Sequence, residues 1–199
     1  MKVPFFHQFS RPKGILGRFA GAIMSLENRK LNVWTIGCLD LVANDRVLEI
    51  GYGPGFAMKR MLEGHKNLYV DGIDSSEVMF NQAANRIKPF IQSGRARVIQ
   101  GKVEHLYLPL SHYDKILSVN NYTIWGNRKH ALSCLYGALK EGGRIAITIQ
   151  PREDTASPTM TKMMASDLYH SLEEAGFTRV SISYRRIFPE LAVCAVGFK

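Results

Sequence analysis

The most constraining stretch of the chain is Val47-Leu48-Glu49-Ile50-Gly51-Tyr52-Gly53-Pro54-Gly55. A short apolar run carrying one acid ends in three glycines at alternate positions. Phe56 to Glu63 then reads as a helix. A chain that leaves a buried strand through such a loop turns sharply, and it lets a ligand approach its backbone closely. The expectation is a nucleotide-like ligand at the carboxyl end of the first strand. Spacing narrows the choice. A dinucleotide fingerprint places its third glycine at residue 56, where this chain has Phe56. A phosphate-binding P-loop requires a following Gly-Lys-Ser/Thr, which is missing.

The same strand opens an alternating pattern. Arg46 to Gly51, Asn67 to Asp74, Ala96 to Gln100, Tyr113 to Val119 and Arg144 to Ile149 read as strands. Between them, Ser76 to Ile91 reads as one long helix, with Val78, Met79, Ala83, Ile87 and Ile91 near helical spacing. Lys129 to Lys140 reads as another, closed by Gly142 and Gly143. Near-continuous apolar strands alternating with helices predict a parallel sheet covered by helices on both faces. The end of the chain departs from this. Thr178 to Ile187 and Leu191 to Phe198 are both strand-like, and only Phe188-Pro189-Glu190 separates them. Three residues cannot hold a crossover, so this pair is an antiparallel hairpin.

Composition excludes several classes. The chain has 199 residues, 46% of them hydrophobic and 22% charged, which excludes wholesale disorder. It has no run of about 18 uncharged apolar residues, so no transmembrane segment is expected. Cys38, Cys134 and Cys194 lie far apart, without CxxC or Cys/His clustering. They read as free thiols in a reducing cytoplasm, and no metal site is expected. The net charge is +9, which suggests anionic partners. Five of those charges fall in residues 1–30, where Lys2, Arg11, Lys13, Arg18, Arg29 and Lys30 face only Glu27. Residues 1–44 precede the alternating pattern and read as a helical extension or lid. Ile15, Leu16, Phe19, Ala20, Ile23 and Met24 form its apolar stripe.

The segment VLEIGYGPG resembles motif I of the class I S-adenosylmethionine-dependent methyltransferases, and the resemblance extends over roughly residues 45–199. It implies a Rossmann-like α/β fold. The sheet is seven-stranded and mostly parallel, with helices on both faces and an antiparallel C-terminal hairpin. It also implies S-adenosyl-L-methionine as cofactor, held around Glu49, Gly51, Tyr52, Gly53, Pro54 and Gly55. Asp74, in GIDSS, falls where such enzymes place a carboxylate on the ribose hydroxyls, with Ser75 beside it. Met79 corresponds to the apolar side chain flanking the adenine. Gly101-Lys102-Val103-Glu104-His105-Leu106 occupies the adenine-edge segment, but Lys102 replaces the usual Asp. A lysine cannot accept from the adenine amino group, so recognition falls to Val103 and Glu104. Val119-Asn120-Asn121-Tyr122 stands at the motif IV position beside the methionine moiety. Leu139-Lys140-Glu141-Gly142-Gly143 resembles the family's turn before the fifth strand.

Methyl transfer from a sulfonium needs alignment above all, and a base only if the nucleophile keeps its proton. His105 and Tyr122 are the candidate bases, with His7 and His112 behind them. Motif IV reads NNYT rather than the Asp/Asn-Pro-Pro-Tyr of base-amino methyltransferases, and no Pro-Cys nucleophile is present. Phe5, Phe6, Phe9, Phe19, Tyr122 and Trp125 suit an apolar roof over a small-molecule acceptor. A chain of this length leaves little room for a separate recognition domain. Two other readings stay open: an RNA methyltransferase, suggested by the charge, and a non-catalytic cofactor-binding module.

Overall fold

The computed structural model describes residues 28–151, 156–188 and 190–199. Seven strands form one sheet in the order β3-β2-β1-β4-β5-β7-β6. They are β1 (Arg46–Ile50), β2 (Tyr69–Asp74), β3 (Ala96–Gln100), β4 (Tyr113–Val119), β5 (Leu139–Ile149), β6 (Thr178–Ile187) and β7 (Glu190–Phe198). Neighbours pair in parallel from β3 through β5. β7 pairs antiparallel with β6, as the short hairpin connection requires, and also antiparallel with β5. Ile187 pairs with Glu190, so Glu190 belongs to the strand rather than to the turn.

Alternation along the strands fills a core on each face. Leu48, Ile50, Ile73, Ile116, Ile145 and Ile147 meet α5 (Arg128–Ala138) and α6 (Pro158–Glu174). Val47, Val70, Leu117, Ala146 and Cys194 meet α2 (Phe56–Gly64), α3 (Glu77–Arg86) and Leu39 of α1. The described part of α1 covers residues 28–39. Its buried Leu31, Thr35 and Leu39 recur every fourth residue and lie on the sheet. The Thr35 and Thr148 hydroxyls are 2.6 Å apart and fix α1 against β5. The apolar stripe expected at residues 15–24, with the N-terminal phenylalanines and His7, lies outside the described residues.

The structure corrects the sequence reading at two elements. The expected helix over Ser76 to Ile91 is broken: α3 ends at Arg86 and a five-residue helix, α4 (Lys88–Gln92), follows. Pro89 has no N–H to donate and disfavours helical geometry at Lys88, so the chain resets at Ile87. The helix expected to reach Lys140 stops at Ala138, because Leu139 is extended and pairs with Tyr113. The Glu141-Gly142-Gly143 segment then bonds to the chain end, with Gly142 N–H donating to the Lys199 carbonyl at 3.1 Å.

Candidate functional site

Strand order reverses between β1 and β4: β2 and β3 lie to one side, β5 to the other. Crossovers leave in opposite directions at such a point and open a crevice beyond the carboxyl ends of the strands. The crevice is present here. It is lined by Gly51, Asp74, Ser75 and the Gly101–Glu104 segment, with Asn121, Ile124 and Trp125 on the far side.

The glycine loop forms one wall. Gly51 has φ +78°, and an added Cβ would overlap the Asn121 side chain. Gly55 has φ +79° and caps α2; a Cβ there would lie 3.0 Å from that of Ala83. These two positions show why the loop needs glycine: one admits Asn121, the other seats the loop on α3. Tyr52 is buried between them, its hydroxyl 3.4 Å from the Ile99 carbonyl, while Pro54 faces solvent.

Asp74 fastens this loop to β2. Its Oδ2 accepts from Gly53 N–H and its Oδ1 from Ser76 N–H, both at 2.9 Å. Ser76 in turn caps α3, its hydroxyl accepting from Met79 N–H at 3.3 Å. A carboxylate offers about four lone-pair sites, so both oxygens keep capacity for further donors.

Glu49 is the electrostatic anomaly. It is 3% exposed, and its Oε2 has no hydrogen-bond partner. Burial, then the charge of Asp74, push its carboxyl up to about 8, against a backbone hydrogen bond from Met58. An unpartnered buried carboxyl beside a glycine loop suits a cationic ligand group.

The opposite wall comes from the loop after β4. Asn120 has φ +52°, tolerated by Asn; its Oδ1 accepts from Gln150 N–H at 2.8 Å, and its Nδ2 is buried without a partner. The Asn121 Oδ1 accepts from the Trp125 indole at 2.7 Å, which folds the indole over the cleft. Glu104 accepts from Gly126 N–H at 3.1 Å and ties the Val103–His105 turn to this loop. The sequence reading placed Asn121 in the motif IV segment and Trp125 in the apolar roof, and both line the cleft; it did not single out Ile124. Proximity to Asn120 is the one signal that points to Ile124.

The remaining expected residues divide. Gly51, Asp74, Ser75, Val103 and Glu104 line the cleft together, as does Lys102. Met79 packs on the cluster beneath α3. His105 is exposed. Tyr122 is buried edge-on to Trp125, with Ser171 and Asp167 of α6 near its hydroxyl. Burial raises its phenol above the ordinary value. His112 lies at the other end of the sheet, near Arg46. Among the described residues, no group of three or more His, Cys, Asp or Glu side chains could hold a metal ion.

A mostly parallel seven-stranded sheet with one inserted antiparallel strand, and a glycine-lined cleft at its switch point, define the class I S-adenosylmethionine-dependent methyltransferases. The chain belongs to that family. The methyltransferase-domain family profile matches residues 47–143. The chain is 46% identical to the uncharacterized methyltransferase YdaC of Bacillus subtilis (strain 168) over 180 residues, covering 90% of this chain and 97% of that protein. Among solved structures it resembles a SAM-dependent methyltransferase from Aquifex aeolicus at a TM-score of 0.70 and 19% identity, covering 89% and 96% of the two chains. It also resembles Haemonchus contortus phosphoethanolamine N-methyltransferase 2, solved with phosphomonomethylethanolamine and S-adenosylhomocysteine. That match has a TM-score of 0.70 and 15% identity, covering 84% of this chain and 52% of that one. These structural likenesses concern the fold. Membership decides against the non-catalytic reading: the chain is a methyltransferase. No helix among the described residues is long and apolar enough to cross a membrane.

Proposed function

We propose that this methyltransferase transfers a methyl group from S-adenosylmethionine to a small-molecule acceptor by direct displacement. The residues of the cleft fit the cofactor. Glu49 offers an unpartnered buried carboxyl for a cationic group, and Asp74 keeps acceptor capacity for the ribose hydroxyls. Gly51, Gly53 and Gly55 leave the backbone open, with Tyr52 and Pro54 shaping the turn. Ser75 and Met79 would serve the adenosine side. Val103 and Glu104 would read the adenine edge in place of a side chain at Lys102. Asn120 would serve the methionine side. When bound, the cofactor supplies an activated methyl group, and the chain's work is to align an acceptor with it.

The single observation carrying the small-molecule reading is the apolar far wall. Ile124 is 72% exposed beside the buried Trp125, directly across from Gly51 and Asp74. Such a wall suits a compact, partly apolar acceptor. Neither the buried Tyr122 nor the exposed His105 lines the cleft, which favours an acceptor that needs little deprotonation. Three free cysteines fit a cytoplasmic setting.

The test is a screen of a metabolite extract with radiolabelled cofactor. Label entering a small product supports the reading. Label entering RNA, together with RNA binding that falls steeply with salt, would replace it by the nucleic-acid reading.

A further inference from the structure

Among the described residues, a sizeable cavity lies at the wrong end of the sheet for methyl transfer. It measures about 430 Å³ and is lined by Arg46, Tyr69, Asp71, Arg97, His112 and Tyr113, among others. These residues lie at the amino-terminal side of the sheet, away from the switch-point crevice.

Its origin is topological. The connection from β3 to β4 contains a single turn of 3₁₀ helix, Val103–His105. A parallel sheet is normally covered on both faces by its crossover helices. Here no α-helix lies between β3 and β4, so among the described residues the α5/α6 face is left uncovered over the starts of β1, β2 and β3. The sequence is adapted to that exposure. Leu48, Ile50 and Ile73 continue this face as buried apolar residues. At the open end the same alternation places Arg46 opposite Tyr69, and Asp71 opposite Arg97.

The charges are arranged rather than scattered. The Arg46 guanidinium lies over the Tyr69 ring, 5.0 Å from its centroid, and Arg46 Nη1 is 3.5 Å from His112 Nε2. Arg97 Nη2 donates to Asp71 Oδ2 at 2.9 Å, and the Tyr113 hydroxyl donates to the same oxygen at 2.8 Å. The one acid of the cavity is therefore compensated. The Arg97 side chain stays 62% exposed, and its fork keeps further N–H groups for a ligand. Arg95 is already engaged, donating to the carbonyls of Leu62, His65 and Leu68 at the end of α2.

We propose that this cavity is a second ligand site, binding an organic phosphate of mononucleotide size through Arg46 and Arg97, with Tyr69 and His112 as flat neighbours. Guanidinium forks match phosphate oxygens two at a time. Aromatic and guanidinium faces accept a planar ring. The volume falls within the roughly 300–1,000 Å³ of small-ligand pockets. The site is independent of the methyl-transfer reading, because it shares no residue with the cofactor cleft.

The experiment titrates uridine 5′-monophosphate, uridine and a short oligouridylate into the protein saturated with S-adenosylhomocysteine. Saturation removes the cofactor cleft as a competing site. Uridine 5′-monophosphate is expected to bind, with uridine weaker by roughly tenfold or more, since the phosphate carries the charge-assisted bonds. Arg46→Glu should weaken the phosphate ligand by a similar factor and leave the thermal midpoint and S-adenosylhomocysteine affinity unchanged. Arg97→Gln provides a second variant with the same expectation. Binding of the oligouridylate alone, without uridine 5′-monophosphate, overturns the proposal in favour of a strand-binding face. No binding at millimolar concentration overturns the proposal. So does equal affinity for uridine and its phosphate, or indifference to both substitutions.

Discussion

The two ends of the sheet are built on opposite principles. At the carboxyl end, polar groups are left unfinished. Glu49 Oε2 and Asn120 Nδ2 are buried without partners. At the amino end the buried and half-buried acids are partnered, while the exposed Arg97 keeps donors for a ligand. Asp114 accepts from Lys140 Nζ at 2.8 Å and from Arg46 N–H at 2.8 Å, and Asp45 Oδ2 accepts from Val42 N–H at 2.9 Å. Unpartnered buried groups cost stability and persist where a ligand completes them.

The largest effect that would break the contrast is at Gly51. Gly51→Ala forces a Cβ into Asn121 at φ +78°. The expected result is a loss of about 1–3 kcal/mol of stability, with cofactor binding falling below detection by calorimetry. A variant with wild-type affinity would mean that the loop tolerates a side chain and that the wall is misread.

Next comes Glu49→Gln, which should separate stability from function. A carboxyl raised from 4.5 to about 8 in the folded protein holds its proton more tightly there than in the unfolded chain. Its contribution is fully present below about pH 4.5 and is lost as pH rises through about 8. At pH 7 this costs the wild type up to about 3 kcal/mol. Glu49→Gln should therefore raise the melting temperature at pH 7 and narrow its advantage toward pH 4.5, while weakening cofactor binding. A cationic ligand favours the ionised carboxyl, so wild-type affinity should rise with pH up to about 8. Calorimetry in two buffers of different ionisation enthalpy would show the released proton. A variant no more stable than wild type would place an unseen donor on Glu49.

The smallest effect belongs to the amino end. Lys140 and Asp114 are partly exposed, at 41% and 26%. Lys140→Ala should lower stability by no more than about 1 kcal/mol and leave cofactor affinity unchanged. A change in affinity would show that the two ends are coupled.

Much of this was legible in the chain. Strands β3, β4 and β6 lie where their apolar patterns place them, because each is bounded by polar or turn residues. The antiparallel hairpin followed from the shortness of its connection alone. The glycine loop was legible from its strand-turn-helix pattern and Asp74 from the family resemblance, while the bond from Gly53 N–H that joins them was not. Asn121 and Trp125 were legible as residues near the site, but the Asn121 contact with Gly51 and its bond from the Trp125 indole were not, since they arise from a loop folding back across the switch point. The break at Ile87 turned on one proline inside a good helical pattern. The early end of α5 turned on a long-range pairing of Leu139 with Tyr113 that no local periodicity encodes. The open face at the amino end had no local signal either, since it depends on what the β3–β4 connection omits.

The account's central claim is that the Glu49–Asp74 end of the sheet is a cofactor site. Titration of S-adenosylmethionine into the wild type and into Asp74→Ala tests it most directly. The account predicts single-site binding in the wild type and affinity at least roughly tenfold weaker in the variant, as expected for lost hydrogen bonds to a charged acceptor, with the fold retained by circular dichroism. No binding to the wild type at millimolar cofactor, or equal affinity in the two proteins, would contradict it.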